Sequence, residues 1–598
     1  MDFGELRSLL QKSPDHARWL KLCAMLEQWP RDSSEHTALP YTIELLDRHW
    51  PDDVRSAPWT WIARALNGAR VPELSIARCI GALDTVVGTR SGIPELGSLD
   101  ADEVKALCAL PELGEITRLN LRNISLEHQL DRLLHAPFID RVERLDLGNC
   151  ALGPRHAEMI AQAEHTSALK HLELWDNELG DKGVAWLARA AGLEGLTMLE
   201  LGGVGMTERG VRALARSEHL QNMERVFFWS NKLGAHGIRE LVSTEFLASV
   251  HEIELNTCRL GPDAMALFAE SPHVSNVRAF SASKNPRMGS EGVRALVESP
   301  HLEGLRRIRL DRVGMEGDGI RAIHNAPFLD RLEHLSVRSN PIEDAALSDL
   351  IRDPRAAALT LLSIWGCQLG DDTLLALAEA EHITKLKTLY VAQNHFTRAG
   401  FERLFEAEHL SSLESLSFAY NNFGLPTLEA LFSSAHFDNL KVLNPSSRGH
   451  GDEAMELLAD AESFGALEKL SLYQMQMTSE GARALANTPK AKTLRELDLS
   501  SNRIDDDGID ALVESPNLGE LRHLDLQHNV ITPRGARLLA HTDNMPNLLS
   551  LKIDAHLRPP FARELLHADK LGALSPGAHR MLRVLRIEEP WALREETL

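Results

Sequence analysis

Residues 494–504 read Leu494-Arg-Glu-Leu497-Asp-Leu499-Ser-Ser-Asn502-Arg-Ile504, and this stretch decides the fold. The same arrangement of leucines and asparagine occurs far upstream, in Leu169-Lys-His-Leu172-Glu-Leu174-Trp-Asp-Asn177-Glu-Leu179. In both places a short turn follows, and then apolar residues at helical spacing, as in Val184, Leu187 and Ala188. A pattern that returns in this way predicts internal repeats, each with one short strand and one helix.

The register of the repeat is marked by the second apolar residue of each Leu-x-Leu pair. It falls at positions 121, 147, 174, 201, 228, 255, 282, 310, 337, 364, 391, 418, 445, 472, 499, 526 and 553. Fourteen of the 16 spacings are 27 residues, one is 26, and one is 28, where segment 285–292 holds one extra residue. Chance does not hold a register over 432 residues, so the chain of 598 residues is predicted to be mainly a repeat array.

This spacing and sequence resemble leucine-rich repeats of the ribonuclease-inhibitor-like subclass, in which every unit carries a helix. The resemblance covers roughly residues 95–560. It implies an α/β fold: a curved solenoid, or horseshoe, with a parallel inner sheet and outer helices. It also implies that the asparagine after each strand bonds neighbouring backbone groups and forms a ladder. Cys150, Cys258 and Cys367 hold the asparagine position, and cysteine is a substitute there in this family.

Three parts of the chain are expected. Residues 1–92 lack the repeat, carry apolar residues at helical spacing and hold five of the ten tryptophans, so they are predicted to form a helical N-terminal cap domain. Residues 93–556 form the repeat array of about 17 units, and residues 557–598 form a helical C-terminal cap.

Composition and charge exclude several classes of protein. The chain is 43% hydrophobic and 25% charged, which excludes disorder and a membrane bundle. Its 86 acidic and 64 basic residues give a net charge of −22, which disfavours nucleic acid as a partner. The opening residues do not resemble a secretory signal, and no segment of about 18 apolar residues occurs, so we expect a cytoplasmic protein without membrane contact.

Sequence motifs for catalysis and for metal binding are missing. The sequence contains no GxxxxGK[ST], HExxH or GxSxG motif and no CxxC pair, so we predict a non-enzymatic protein without cofactor or metal. Seven histidines do share one register, nine residues before the marker: His165, His219, His273, His301, His382, His409 and His436. Phe138, Phe328 and Asn517 hold the same place in other repeats, which favours a structural role for the histidines.

Aromatic residues give the clearest indication of function. In this register, the residue between the paired apolar residues and the two residues after the pair lie on the exposed face of the sheet. Folding needs no large apolar group there, yet these columns hold Trp175, Phe227, Trp229, Trp365, Tyr390, Tyr420 and Tyr473. Aromatic side chains with a polar handle are favoured anchors of protein interfaces, so we predict that these seven bind a protein partner.

Charged residues in the same columns are segregated along the chain. Acidic residues come first, arginines follow with Asp311 among them, and acidic residues return at the far end: Asp146, Glu173, Glu200 and Glu254; Arg309, Arg312 and Arg338; Asp498, Asp525 and Asp554. Neighbouring strands are about 4.8 Å apart, so strips of like charge are expected, and a partner could compensate them. Glu173, Glu200, Glu254, Arg309 and Arg338 are therefore added to the predicted partner-binding residues.

The leading hypothesis is a monomeric, non-enzymatic scaffold that captures a protein partner on the concave face of the array. Ribonuclease inhibitor grips its target with a similar acidic and aromatic surface, which is what the resemblance implies. One alternative is a regulator of a small GTPase, because GTPase-activating proteins of the Ran type share the repeat subclass. Another is a substrate receptor of a ubiquitin-ligase-type complex, because a helical head before such repeats is also the plan of F-box receptors, and Leu39-Pro40 faintly resembles an F-box opening.

Overall fold

The structure is a computed structural model, and it describes residues 73–75, 97–98, 117–126, 128–446, 449–548 and 550–554. The predicted C-terminal cap lies outside these residues, and so does the predicted N-terminal domain apart from one strand, Glu73–Ser75. The chain divides into two compact units: unit 1 is residues 1–231 with 585–597, and unit 2 is residues 232–584 with 598.

Unit 1 alternates short strands with helices. Its described strands are β1 (Glu73–Ser75), β2 (Gly97–Ser98), β3 (Arg118–Asn120), β4 (Ile124–Ser125), β5 (Arg144–Asp146), β6 (His171–Glu173), β7 (Met198–Glu200) and β8 (Arg225–Phe227). Its described α-helices are α1 (Leu130–Leu134), α2 (Pro154–Gln162), α3 (Gly180–Leu187) and α4 (Glu208–Ala215). Short 3₁₀ helices occupy Ile139–Arg141 and Ala191–Leu193. β1, β3 and β5 to β8 pair in parallel in that order, and β2 pairs in parallel with β4.

Unit 2 continues the same alternation over more repeats. Its described strands are β9 (Glu252–Glu254), β10 (Ala279–Ser281), β11 (Arg307–Arg309), β12 (His334–Ser336), β13 (Leu361–Ser363), β14 (Thr388–Tyr390), β15 (Ser415–Ser417), β16 (Val442–Asn444), β17 (Lys469–Ser471), β18 (Glu496–Asp498), β19 (His523–Asp525) and β20 (Ser550–Lys552). Consecutive strands from β9 to β20 pair in parallel.

The helices of unit 2 connect these strands. They are α5 (Gly234–Val242), α6 (Pro262–Ala269), α7 (Gly289–Val297), α8 (Gly317–Asn325), α9 (Asp344–Arg352), α10 (Asp371–Glu379), α11 (Arg398–Phe405), α12 (Leu425–Phe432), α13 (Gly451–Asp460), α14 (Ser479–Asn487), α15 (Asp506–Val513) and α16 (Pro533–His541). Short 3₁₀ helices occupy Glu245–Leu247, Pro272–Val274, Leu329–Arg331, Pro354–Ala358, Glu408–Leu410 and Pro489–Thr493. No helix of the described ranges combines the length and the apolar composition needed to cross a lipid bilayer.

The predicted register is confirmed by the strand pairing. Leu172 pairs with Leu199, a step of 27 residues. The two irregular spacings also appear where the sequence places them, with Leu119 opposite Leu145 and Phe280 opposite Ile308. The solenoid of strands and helices that the sequence predicts is therefore present in each unit.

The core of each repeat lies between the strand and the helix. In the repeat that begins at β6, Leu172 and Leu174 of the strand side and Val184 and Leu187 of α3 are all fully buried. Burial of one such side chain contributes about 1.5 to 3 kcal/mol relative to its exposure. Because each repeat buries this set only against its neighbours, the array is stabilised unit by unit.

An asparagine ladder ties each repeat to the one before it. The Asn340 side chain accepts the backbone N–H of Val313 (3.0 Å) and of Met315 (3.1 Å), both in the preceding repeat. Its amide nitrogen donates to the carbonyls of Leu310 (2.8 Å) and Val337 (2.9 Å). One buried side chain thus satisfies four backbone groups where the chain turns off the strand, groups that would be costly to bury unpaired.

Cysteine reproduces part of this ladder. The Cys367 thiol donates to the Val337 carbonyl (3.2 Å), and the Cys150 thiol to the Leu121 carbonyl (3.1 Å). Both are fully buried, and burial raises the pKa of each thiol to about 12. A thiol held neutral in this way is a poor nucleophile, in agreement with the structural role predicted for it.

A second ladder runs along the helix starts. Asp452, in the first turn of α13, accepts the backbone N–H of Thr478 (2.8 Å), the hydroxyl of Thr478 (2.7 Å) and the N–H of Gly481 (2.9 Å). Thr478 in turn caps α14 through its side chain. Asp181 makes the same contacts with the next helix start in unit 1, at Thr207 and Gly210. These carboxylates fix how consecutive helices stack.

Candidate functional site

The structure places all twelve predicted partner-binding residues on the exposed face of the sheet. None of them belongs to the buried core; most are half-buried, Arg309 is exposed, and Tyr420 is 39% exposed. Among the residues that the structure describes, the largest fully buried side chains are, by contrast, eleven phenylalanines, beginning with Phe138 and ending with Phe464. The largest rings of the apolar interior are thus phenylalanines, whereas Trp175, Trp229 and Trp365 lie on the sheet face.

In unit 1, each of the two indoles on the sheet face lies against a glycine of the preceding repeat. A Cβ added at Gly148 would lie 2.0 Å from the ring of Trp175, and one added at Gly202 would lie 2.0 Å from the ring of Trp229. No other residue leaves this space, because real Cβ atoms do not approach within such distances. Each tryptophan is therefore positioned by the small residue beside it.

Hydrogen bonds hold the acidic residues of the same face. The Trp229 indole N–H donates to Glu200 (2.9 Å), and Arg144 forms an ion pair with Glu173 (3.0 Å). Phe227 lies next to Glu200 in the strand register. We call this set of residues, with Trp175, the unit 1 face.

Asp146 lies next to Glu173 in the strand register and is more buried than the carboxylates of the unit 1 face, with 5% of the residue exposed. Burial raises its pKa to about 6, and the neighbouring charge of Glu173 adds to the rise. The backbone N–H of Gly148 donates to this carboxylate (3.0 Å) and acts in the opposite direction. Loss of water, rather than the like charge, is the main cause of the shift.

The first residue of each strand was missed by the sequence reasoning. Successive strand residues alternate between the two faces, so the first and third residues share the exposed face. Arg144, His171 and Arg225 therefore lie beside the acidic column, and Arg225 contacts the His171 ring at 3.2 Å. Burial, and then the charge of Arg225, lowers the pKa of His171. The expected acidic strip of unit 1 is consequently flanked by basic residues, a correction that the alternation of the strand could have supplied.

In unit 2, an arginine and a tyrosine lie two repeats apart and touch. The Arg338 guanidinium lies 5.1 Å from the centre of the Tyr390 ring, within the range of a cation–π contact. Its Nε donates to the Ser363 hydroxyl of the repeat between them. Trp365 belongs to that intervening repeat and lines the same cavity as Arg338 and Tyr390.

This cavity is a groove of about 800 Å³ on the exposed sheet face of unit 2. Small or short side chains line its middle: Ser417, Asn444 and Ser471. Charged residues line its far end: Lys469, Glu496, Asp498, Asp525 and Lys552. Lys469 pairs with Glu496 (2.6 Å) and Lys552 with Asp525 (3.4 Å).

The remaining predicted residues of unit 2, Glu254, Arg309, Tyr420 and Tyr473, lie on the same sheet face but do not line the groove. The rings of Tyr420 and Tyr473 contact each other edge-to-face, with centres 6.3 Å apart. Burial raises the pKa of Glu254, an effect that the charge of Arg309 opposes. We call the groove together with these residues and Arg312 the unit 2 face.

Several histidines that share one register contact groups of earlier repeats and so stabilise the loops between helix and strand. His165 contacts Asp140 (2.7 Å) and His219 contacts Glu194 (2.8 Å), in each case one repeat earlier. His409 contacts the Leu377 carbonyl (3.0 Å). Across the residues that the structure describes, no group of three or more histidine, cysteine or acidic residues is arranged to hold a metal ion.

Comparison with known proteins gives one family and several distant likenesses. The family described as Leucine Rich repeat matches residues 167–188, 490–513 and 521–540. No curated protein matches the chain.

Three solved structures illustrate the distant likenesses. An internalin from Listeria monocytogenes is 16% identical, with 67% of this chain and 93% of that chain covered and a TM-score of 0.36. The yeast Rad7 and Elc1 complex gives 18% identity, coverage of 67% and 84%, and a TM-score of 0.42. A TDR receptor gives 16% identity, coverage of 88% and 78%, and a TM-score of 0.32.

The matched segments agree with the repeat geometry. The three segments fall in the predicted register, and each contains the strand or helix expected there. The pairing of strands at intervals of 27 residues and the buried asparagine ladder extend that register through both units. The repeats of this chain are therefore leucine-rich repeats.

Proposed function

We propose that this chain is a non-enzymatic scaffold of the ribonuclease-inhibitor-like subclass that binds a protein partner on the exposed face of its repeat sheet. The helix that follows each strand from β5 to β19 and the spacing of 27 residues support the subclass. The observation that carries the function is the position of tryptophan and tyrosine outside the core, on the unit 1 face and on the unit 2 face.

Folding does not account for these aromatic residues. The central strand residue and the marker residue fill the core, so the columns that face outward can hold any residue that fits beside its neighbour. A half-buried indole or phenol presents a large rigid surface and a polar group, and it loses little rotamer entropy when a partner covers it. A large rigid surface, a polar group and a small loss of entropy are the properties that stabilise a protein interface.

The test is capture of a partner by variants of the full chain. Replacement of Trp175, Trp229 and Trp365 by alanine should abolish capture of a partner from a lysate of the source cells, identified by mass spectrometry. The matched control is Trp186→Ala, because Trp186 is also half-buried but lies on α3 rather than on the sheet face. The control should capture the same partner as the parent protein.

Stability must be measured alongside capture. All four substituted residues lie outside the buried core, so both variants should keep the circular dichroism spectrum and the cooperative thermal unfolding of the parent. If the triple variant stays folded and captures the partner undiminished, the proposal is wrong. Capture that weakens with added salt would show that the charged columns steer the encounter.

A further inference from the structure

Three arginines of the unit 2 face form no ion pair within the part of the chain that the structure describes, although the charge of Arg309 acts on Glu254 from a distance. Arg309, Arg312 and Arg338 lie on two neighbouring repeats, and no described carboxylate is within ion-pair distance of any of the three. The arginines beside them are paired, Arg306 with Glu333 (2.8 Å) and Arg307 with Glu252 (3.8 Å). Unpaired positive charge is thus concentrated on the exposed sheet face of a protein whose net charge is −22.

The one acidic residue among these arginines is engaged by other groups. The Asp311 carboxylate accepts the hydroxyl of Ser336 (2.6 Å) and the backbone N–H of Arg338 (2.9 Å). Through these bonds the Asp311 carboxylate points toward polar groups of the neighbouring strand and the residues after it. It therefore leaves the three guanidinium groups available to an external anion.

Arg338 is held in place before any partner arrives. The Ser363 hydroxyl and the Tyr390 ring fix its guanidinium, while its two terminal nitrogens donate to no described group. The Trp365 indole N–H likewise has no acceptor in the part of the chain that the structure describes. A planar guanidinium with two free nitrogens matches a carboxylate in bidentate geometry.

We propose that the partner docks an acidic segment on Arg309, Arg312 and Arg338, and that this segment continues into the groove of unit 2. The inference rests on the proposed function and names the chemistry of the partner. Charge complementarity supplies the anchor, and the short side chains of Ser417 and Ser471 leave room for the chain that follows.

The far end of the groove favours a protein segment over a nucleic acid. Asp498 lies there, and its carboxylate accepts hydroxyl and amide hydrogens but pairs with no described cation. A nucleic acid carries negative charge at every residue and would be repelled at this end. A protein segment can carry its acidic residues at one end alone.

The probe is a labelled synthetic peptide with glutamates in one half and glycine and serine in the other, measured by fluorescence anisotropy with the full chain. The same peptide with glutamine for glutamate should not bind. The variant R309Q/R312Q/R338Q should bind the glutamate peptide at least about tenfold more weakly than the parent, a loss of about 1.4 kcal/mol. The control R321Q/R352Q/R398Q removes the same charge from paired arginines on the helices α8, α9 and α11 and should leave binding within about twofold.

Several results would overturn the inference. Equal loss in the two triple variants would show an effect of net charge alone. Unchanged binding in the sheet-face variant, tighter binding of a labelled RNA oligonucleotide than of the glutamate peptide, or binding only of a phosphoserine version would each refute an acidic segment. If the arginine variant still captures the cellular partner while the tryptophan variant does not, this inference fails and the proposed function stands.

Discussion

A side chain on this sheet is positioned by the residue one repeat earlier. The indoles of Trp175 and Trp229 occupy space that Gly148 and Gly202 leave open. The thiol of Cys150 and the amide of Asn177 reach back to carbonyls of the preceding repeat, those of Leu121 and Leu147. The effect of a substitution at one position is therefore expected one repeat further along the chain.

Substitution of Gly202 by alanine should displace Trp229. The new Cβ would lie 2.0 Å from the ring, so the indole must move and lose its hydrogen bond to Glu200. We expect a red shift of tryptophan emission and about tenfold weaker partner binding, with a change in the free energy of unfolding below about 1 kcal/mol. Gly465→Ala is the control, because nothing lies within 4 Å of its Cβ. Unchanged emission in Gly202→Ala would contradict the packing described for the unit 1 face.

Asp146→Asn should stabilise the protein near neutral pH. The folded-state pKa is about 6 against an ordinary value of 3.8, so between these pH values the folded protein binds a proton that the unfolded chain does not. Stability is therefore lost as pH rises through this window, and the charged form costs most above it. The amide keeps an acceptor for the Gly148 N–H.

The measurement for Asp146→Asn is urea unfolding at two pH values. At about pH 8 the free energy of unfolding should rise by about 1 to 3 kcal/mol over the parent, and at about pH 3.5 the two proteins should agree. Asp438→Asn, at an exposed position, should change stability little at either pH. A difference that persists unchanged in acid would show that the charge of Asp146 is not responsible.

At the scale of the element, the helices are joined through their first turns. A helix N-terminus presents unpaired N–H groups, and here the carboxylate of the preceding helix meets them. The strands are joined by their own ladder and by the buried asparagines. Each repeat thus has separate polar connections on its strand side and on its helix side.

Asp452→Ala should destabilise the contact between α13 and α14. Three hydrogen bonds to Thr478 and Gly481 would be lost, at a cost of about 1 to 3 kcal/mol in the free energy of unfolding. Glu453→Ala is the matched control, because it removes an exposed acidic residue from the same first turn. Hydrogen exchange at the amides of residues 478–481 should accelerate in Asp452→Ala alone, and equal acceleration in both variants would point to the helix dipole instead.

The strands and helices were predictable from the sequence because the apolar residues that recur at regular spacing are the residues that each element buries. The positions of Leu172, Leu199 and their equivalents located the strands, and the spacing of 28 residues near residue 285 was also predicted correctly. The column of Arg144 and His171 was missed, although the alternation of strand residues would have found it. The groove of unit 2 could not be predicted, because it depends on which side chains turn toward one another, as Arg338 does toward Tyr390. The predicted helical domain of residues 1–92 stays a prediction.

At the scale of the molecule, the array is modular, and deletion of one complete repeat tests this. Removal of residues 500–526 joins Leu499 to Gln527, which keeps the strand register and returns Asn529 to the ladder position. We expect cooperative unfolding and an unchanged helical signal per residue, because neighbours still bury one another. Removal of residues 500–513 takes out the ladder residue Asn502 and the helix α15, so β18 and β19 are no longer joined by a complete repeat, and it should give an aggregated or unfolded product. Similar behaviour of the two deletions would refute modularity.

The glycine–indole pairs of unit 1 also determine the distance between the two indoles of the sheet face. Trp175 and Trp229 occupy the same column two strands apart, which is roughly 10 Å. One face of an α-helix recurs every seven residues, over roughly 10.5 Å, whereas one face of an extended strand recurs at roughly 6.8 or 13.6 Å. The distance between the two indoles therefore matches two turns of an α-helix better than it matches an extended strand. A partner that contacts both indoles with equivalent side chains is expected to do so with a helix.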